Sequence, residues 1–450
     1  MKKIIEHGLY LLVFLLPWQT RWIIKAGEIN NGYWEYGTTS LYGTDILLMI
    51  ILFVWLFLKI IKPSDQNVTS TVARKKYVTY FILGLAVVNF ISFIFSLDKA
   101  LSFYIFLRLL IALGFFYLII DANYKYSKLL FCLSSGLAFT ALLALWQFIF
   151  QNSFANKWLG LARHQAAELG TSVIEIYRVA DLPERWLRAY GTFDHPNMLG
   201  GAMVIGIFIS LKLLLNYQIK ETAIKNNKIN AVFLFLYFYV SIFSVALFFS
   251  FSRAAWISFV FGFILLLLPL LKNNKRKELK VALGVLGISM ISILPFFYIY
   301  QDLAVARFSS QTRLEKKSIE ERVSSNRDAL EIIKAQPWLG VGPGGYGLAV
   351  AQNYSKQQSW YYQPTHNVFL LIWVESGILG LLLFIAVLVN LIIKNFKVDK
   401  AINLAIISAV IILMLFDHWL WSLHFGIITS WLLIGLMQKE QNEHNQVYGD

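Results

Sequence analysis

Runs of apolar residues recur from one end of the chain to the other, each close to the roughly 20 residues that carry a helix across a bilayer, with short polar stretches between them. They are read as spans near residues 4–17, 45–61, 77–96, 101–120, 129–150, 197–215, 231–251, 254–271, 281–300, 367–393, 401–416 and 423–438. Strand-like alternation is absent, which excludes a membrane barrel. The expected fold class is all-α: a polytopic membrane protein of about twelve transmembrane helices, forming a single integral membrane domain over residues 1–450. The start, Met1-Lys2-Lys3 and an apolar stretch to Pro17, lacks a small-residue cleavage site before Trp18 and reads as an uncleaved first span.

Composition agrees with this pattern: 58% of the 450 residues are hydrophobic and only 15% charged, too few polar groups for an ordinary soluble protein. The net charge of +14 is the basic balance of a chain anchored on the cytoplasmic side, so a lipid bilayer is the expected partner and nucleic acid is not. Every second connection is short and lysine-rich: Lys62 with Arg74, Lys75 and Lys76; Lys125 and Lys128; Lys220, Lys225 and Lys228; Lys272 to Lys280; Lys394, Lys397 and Lys400. These connections and both termini are expected in the cytoplasm. Three long segments, 18–44, 151–196 and 301–366, then face outward. Cys132 stands alone in an apolar run, which leaves no disulfide framework or cysteine metal site within the chain.

Across the two faces the cation changes identity. Of thirteen arginines, ten (Arg21, Arg163, Arg178, Arg185, Arg188, Arg253, Arg307, Arg313, Arg322 and Arg327) fall on the outward side. Arginine grips phosphate with a planar fork of donors, so the set points to an anionic head group such as a lipid phosphate or pyrophosphate. The competing reading pairs them with carboxylates of the same segments, among them Glu35, Glu175, Asp181 and Glu315. Around Pro196, which suits the first turn of a helix, Asp194 and His195 stand near free backbone N–H groups with Arg188 just outside. Ser252-Arg253 interrupts two apolar runs almost without a loop, where an arginine needs a partner; Arg108 raises the same question inside the fourth span.

Thr365-His366-Asn367 opens the tenth span and is followed by Gly377 and Gly380. On a helix the glycines sit about 15 Å deeper, where small residues permit close helix approach, while His366 stands at the outer surface as a group able to accept a proton. Glu375 lies between them and is expected to be neutralised or paired with a group from another helix. The string Pro337-Trp338-Leu339-Gly340-Val341-Gly342 reads as a tight turn, since no Walker-type Gly-Lys-Ser/Thr occurs. No Asp-x-Asp pair or His-x-x-x-His cluster lies on the outward side, which argues against an obligatory metal.

Taken in order, Arg188-Ala-Tyr-Gly191-Thr192-Phe193 with Pro196-Asn197, Ser252-Arg253, Arg322 or Arg327 before Pro337 to Gly342, and His366-Asn367 with Gly377 and Gly380 resemble the O-antigen ligase family of bacterial membrane glycosyltransferases, together with its polysaccharide polymerases and protein O-oligosaccharyltransferases. The likeness covers the second half of the chain; His195 departs from the asparagine common before Pro-Asn. It implies a GT-C-like bundle of about twelve helices with a large extracytoplasmic loop at 301–366, in the bacterial inner membrane. It also implies transfer of a glycan from undecaprenyl pyrophosphate to a hydroxyl of a lipid, glycan or protein, with no cofactor or metal. In that chemistry His366 is the expected general base, Arg188 and Arg253 the pyrophosphate ligands, and Arg322 and Arg327 weaker members of the same cradle. Asn367, Glu375, Gly377, Gly380 and His195 are expected to support them. The alternatives are a polymerase of the same family and a flippase of lipid-linked sugars, whose binding residues would lie near the midplane.

Overall fold

The structure, a computed structural model, describes residues 2–61, 69–168, 170–179, 182–221, 228–309, 312–353, 357–396 and 400–447. Lys62, Lys225, Lys397 and Asp181 lie outside the described residues, as do the side chains of Arg74, Lys75, Lys76, Arg178, Lys220 and Lys228.

The chain is a bundle of helices. Helices α1 (Lys2–Leu15), α2 (Gly43–Ile61), α3 (Thr69–Ile94), α4 (Lys99–Asp121), α5 (Tyr126–Phe150), α6 (Pro196–Glu221), α7 (Lys228–Ser250), α8 (Arg253–Lys272) and α9 (Arg276–Ile299) come first. The short helix α10 (Gln301–Ser309), the polar 23-residue α11 (Arg313–Ala335) and the short α12 (Tyr346–Asn353) follow, then α13 (Val368–Asn395), α14 (Ala401–Phe416), α15 (Trp419–Ser422) and α16 (His424–Val447). Among the described residues, nine helices are long and apolar enough to cross a membrane, fewer than the twelve expected. The 14-residue α1 and the 16-residue α14 are shorter than a full span. Together with the long helices they make this a multi-pass membrane protein.

Most long helices show lipid-like residues on one side, as the exposed Phe53, Leu56, Leu268 and Ile291 illustrate. Helix α6 differs, with 94% of its apolar window buried, so it is the central post around which α5, α7, α8 and α14 pack. The described residues of the segments 18–42, 151–195, 300–367 and 417–423 connect the helices at one end of this bundle. They carry three two-stranded antiparallel sheets that the sequence did not announce: β1 (Arg21–Lys25) with β4 (Thr39–Tyr42), β2 (Glu28–Ile29) with β3 (Gly32–Tyr33), and β5 (Val173–Val179) with β6 (Leu182–Leu187).

Gly377 has a role other than the expected helix-helix contact. Its φ of 69° and ψ of −179° break α13, a backbone region open essentially to glycine alone. The turn 337–342 docks against the break: Val341 N donates to Val374 O at 2.8 Å, Gly342 N to Glu375 O at 3.0 Å, and Ile378 N to Pro337 O at 2.9 Å. Ser92 of α3 ties the joint by donating to Leu339 O or Glu375 O, at 2.6 and 2.7 Å. A Cβ at Gly377 would stand 1.9 Å from Trp338 O. Gly380 does face α3, where its Cβ position lies 3.7 Å from Val88.

Candidate active site

Arg188, just after β6, is buried and fully oriented. Nε donates to Ser250 O at 2.8 Å, one terminal nitrogen to Ser172 Oγ at 2.7 Å and the other to Asn197 Oδ1 at 2.9 Å. Three of its five N–H groups are thereby committed to protein and two are left over. Asn197, in the first turn of α6, passes the polarity on, its Nδ2 donating to Asp417 Oδ2 at 2.8 Å. The other carboxylate oxygen of Asp417 accepts from His418 N at 2.8 Å and lies 3.7 Å from His366 Nδ1. A relay thus runs from Arg188 through Asn197 and Asp417 to the imidazole of His366. Nδ1 of His366 has no hydrogen-bond partner among the described residues, and 3.7 Å is a charge contact, longer than a hydrogen bond.

The position of His366 is set by its neighbours. Thr365 is fully buried and donates to Asn326 Oδ1 at 2.7 Å. Asn367 is the N-cap of α13, its Oδ1 accepting from Phe369 N at 2.9 Å and Leu370 N at 3.1 Å. His418 lies beside it, ring centroids 5.3 Å apart, with Nδ1 2.7 Å from Ser422 Oγ and Nε2 3.4 Å from Tyr36 OH. Burial drives the His418 imidazole down to about 3 against the opposing pull of Asp417, so it is neutral near pH 7. For Asp417, burial alone would raise the carboxyl, but His366 and the charge of Arg322 outweigh it and hold the group well below the usual range. Half-buried His195 accepts from Asn197 N through Nδ1 at 3.1 Å; burial, then the Arg188 charge, lowers it to about 3, which matches an acceptor nitrogen without a proton. Asp194 beside it is exposed.

A cationic patch adjoins this relay. Arg253, at the start of α8, lies 3.3 Å from Glu315 Oε2, and Arg307 pairs with Glu315 Oε1 while donating through Nε to Phe251 O at 2.9 Å. Arg322 donates to Phe416 O at 3.2 Å and is within electrostatic reach of Arg188, Arg253, His195 and Asp417. Burial and the repulsion of Arg307 lower Arg188 well below the ordinary guanidinium range. Four guanidiniums face two carboxylates, Glu315 and Asp417, and this excess of positive charge suits a diphosphate. Arg327 is exposed on α11 with no described contact to the group. Elsewhere the pairing alternative holds: Arg21 goes to Glu35, and Arg185 and Arg313 to Glu175.

Glu375 is buried and accepts from Trp421 Nε1 at 3.3 Å, a polar group of another element as expected. Asp417, His418 and the linking function of Asn197 were not singled out from the sequence, whereas Glu315 does pair with outward arginines as the competing reading has it. One available signal was the polar pair Asp417-His418 standing between two apolar runs. His366, Asp417 and His418 each offer a ligand atom within 4.8 Å of the others, a spacing able to hold a divalent ion.

Residues 238–385 match the family model described as O-antigen ligase, which assigns that part of the chain to the O-antigen ligase family. The match runs from α7 into α13 and takes in Arg253, Glu315, Arg322 and His366, whereas Arg188, Asn197 and Asp417 lie beyond it. No curated relative matches the chain.

Proposed function

We propose that this protein, which carries an O-antigen ligase family domain at 238–385, is an inverting glycosyltransferase. In this reading it transfers a glycan from undecaprenyl pyrophosphate to an acceptor hydroxyl at the outer face of the cytoplasmic membrane, without a metal. The family match at 238–385 supports this reading at the level of a ligase- or polymerase-type glycosyltransferase, and with the apolar helices it supports a lipid-linked glycan and the membrane as partners.

The observation that carries the reading is the relay from Arg188 to His366 beside the arginine patch. Asp417 facing Nδ1 at 3.7 Å favours the tautomer with its proton there, leaving the Nε2 lone pair for the acceptor. The acceptor oxygen attacks the anomeric carbon as its proton passes to Nε2. The bond from that carbon to the pyrophosphate oxygen breaks on the opposite face, which inverts the centre. Undecaprenyl pyrophosphate leaves with one more negative charge, which Arg253, Arg322 and the two uncommitted N–H groups of Arg188 stabilise in a water-poor setting. Arg307, tied to Glu315 and Phe251 O, holds the patch in place.

The test is glycan transfer from a purified lipid-linked donor by the protein in proteoliposomes, with the product read by mass spectrometry. His366→Ala is expected to abolish transfer, and Arg253→Gln to raise the donor concentration needed for half-maximal rate. Undiminished transfer by His366→Ala refutes the base assignment. Movement of labelled donor across the bilayer without product would favour a flippase.

A further inference from the structure

Three guanidiniums converge on one turn between α7 and α8. Phe251 adopts a φ of 46° there, a left-handed conformation uncommon for a bulky residue, and the carbonyls of Ser250 and Phe251 each take an arginine. Ser250 O accepts from Arg188 Nε at 2.8 Å and Phe251 O from Arg307 Nε at 2.9 Å. Arg253 follows as the first residue of α8. The carboxylate set among them is Glu315, in the first turn of α11, with a side chain only 2% exposed. Its two oxygens are used unequally. Oε1 is hydrogen-bonded by buried Arg307, whereas Oε2 lies 3.3 Å from Arg253 with no aligned hydrogen bond among the described residues. We infer that Glu315 is an internal competitor of the donor: it occupies Arg253 in the resting protein and yields it when the diphosphate binds, and so sets donor affinity.

The asymmetry selects Arg253 as the arginine that changes partner. Arg307, its side chain 6% exposed, is tied through both Nε and a terminal nitrogen, so moving it would leave buried polar atoms unpaired. The Arg253 side chain is 23% exposed and is held to Glu315 by a charge contact alone. A diphosphate offers several oxygens and more charge than one carboxylate oxygen, in the arrangement a guanidinium fork grips with two parallel bonds. Arg253 also stands within electrostatic reach of Arg307 and Arg322, a repulsion that a bound diphosphate offsets more fully than Glu315 does. Once Arg253 has turned, Glu315 keeps Arg307 and the positive N-terminal end of α11 as compensation. Neither charge is stranded by the exchange. The inference rests on the reading of the arginine patch as the donor diphosphate site and adds to it a carboxylate that works against binding.

Titration calorimetry of inorganic pyrophosphate into the full chain in nanodiscs of zwitterionic lipid, without divalent ions, tests the exchange apart from the reaction. Glu315→Gln is expected to bind pyrophosphate about fivefold tighter, the order of a partly exposed ion pair, and to lower the donor concentration for half-maximal transfer. A carboxylate that only braces the patch predicts the opposite, weaker binding. Competition for Arg253 also differs from a remote field effect: in the Arg253→Gln background, Glu315→Gln should gain less than about twofold, whereas a carboxylate that merely repels the anion keeps its full effect. Thermal unfolding checks each variant. Should Glu315→Gln not fold, Glu315→Asp takes its place, because the shorter side chain keeps a charge for Arg307 but draws back from Arg253; pyrophosphate should then bind about twofold tighter. Unchanged or weaker binding in the folded variant, or a full gain without Arg253, overturns the proposal and leaves the donor site in place. If neither wild type nor variant binds pyrophosphate, the diphosphate reading of the patch fails and the inference with it.

Discussion

Replacing Asp417 by Asn tests the relay at its pivot. The two residues have the same shape, but an amide cannot accept on both sides. If its oxygen keeps the Asn197 donor, at 2.8 Å from Nδ2 in the wild type, its NH2 faces the His418 N–H and the Nδ1 of His366. Nδ1 must then become an acceptor, which moves the ring proton to Nε2 and removes the base. If the amide is turned round, its NH2 meets that of Asn197, and Asn197 can relieve this only by setting its own NH2 against Arg188. Either way a charge-assisted hydrogen bond is lost, about 1.5–3 kcal/mol. The equivalent aspartate-to-asparagine change in a serine-protease triad lowers turnover about 10⁴-fold through the wrong tautomer. Here the separation of 3.7 Å makes the coupling looser in the resting state. We therefore expect transfer to fall by about 10² to 10⁴, equivalent to about 3–5 kcal/mol at roughly 1.4 kcal/mol per decade. Initial rates at saturating donor measure this, with the thermal midpoint in detergent followed in parallel. A folded Asp417→Asn protein that keeps more than a tenth of the wild-type rate refutes the relay.

Gly377→Ala should lower the thermal midpoint strongly, because it forces a side chain into a glycine-only conformation, costing about 1–3 kcal/mol, and drives its Cβ into Trp338 O, against the 337–342 turn. His418 gives a pH dependence: its folded value of about 3 lies below the ordinary 6.5, so the unfolded chain takes up a proton the folded one refuses. Stability should therefore fall as pH drops from about 6.5 toward 3, and His418→Gln should flatten the slope in thermal unfolding across that range. EDTA treatment should leave transfer unchanged; loss of activity restored by a divalent ion would reassign His366, Asp417 and His418 as ligands.

Much of the helical framework was legible because span length and apolar composition are local properties, as in the uninterrupted runs of α2 and α7. His366 and Arg253 were legible for a related reason: each is a polar residue at the edge of an apolar run, where lipid leaves few explanations. Asp417 and His418 meet the same criterion, yet a search for spaced metal patterns passes over an adjacent pair. Their meaning depends on Asn197, a contact across 220 positions that no periodicity reports. Gly377 was visible as a glycine but not as a helix break, since its backbone conformation exists only once residues 337–342 dock. The hairpin strands, two to seven residues long, are too short and too irregular in burial to show a period of two.

In the proposed role of His366 as the base, these long-range contacts hold its imidazole at a helix end without drifting. A catalytic imidazole held to within about half an ångström needs neighbours that are themselves locked. Below His366, the break at Gly377 is filled by the 337–342 turn and bonded to α3 through Ser92. Above it, Thr365 is tied to Asn326 of α11, and Asn367 closes the first turn of α13. The partner Asp417 is fixed independently by Asn197 on the central post α6, which Arg188 braces in turn from Ser250 and Ser172. His366 and Asp417 therefore hang from different parts of the bundle, so their separation reports the packing of α6, α13 and α14 against one another. Substrate binding can shorten the 3.7 Å gap by a small approach of these helices, consistent with catalytic contacts that tighten only in the loaded enzyme.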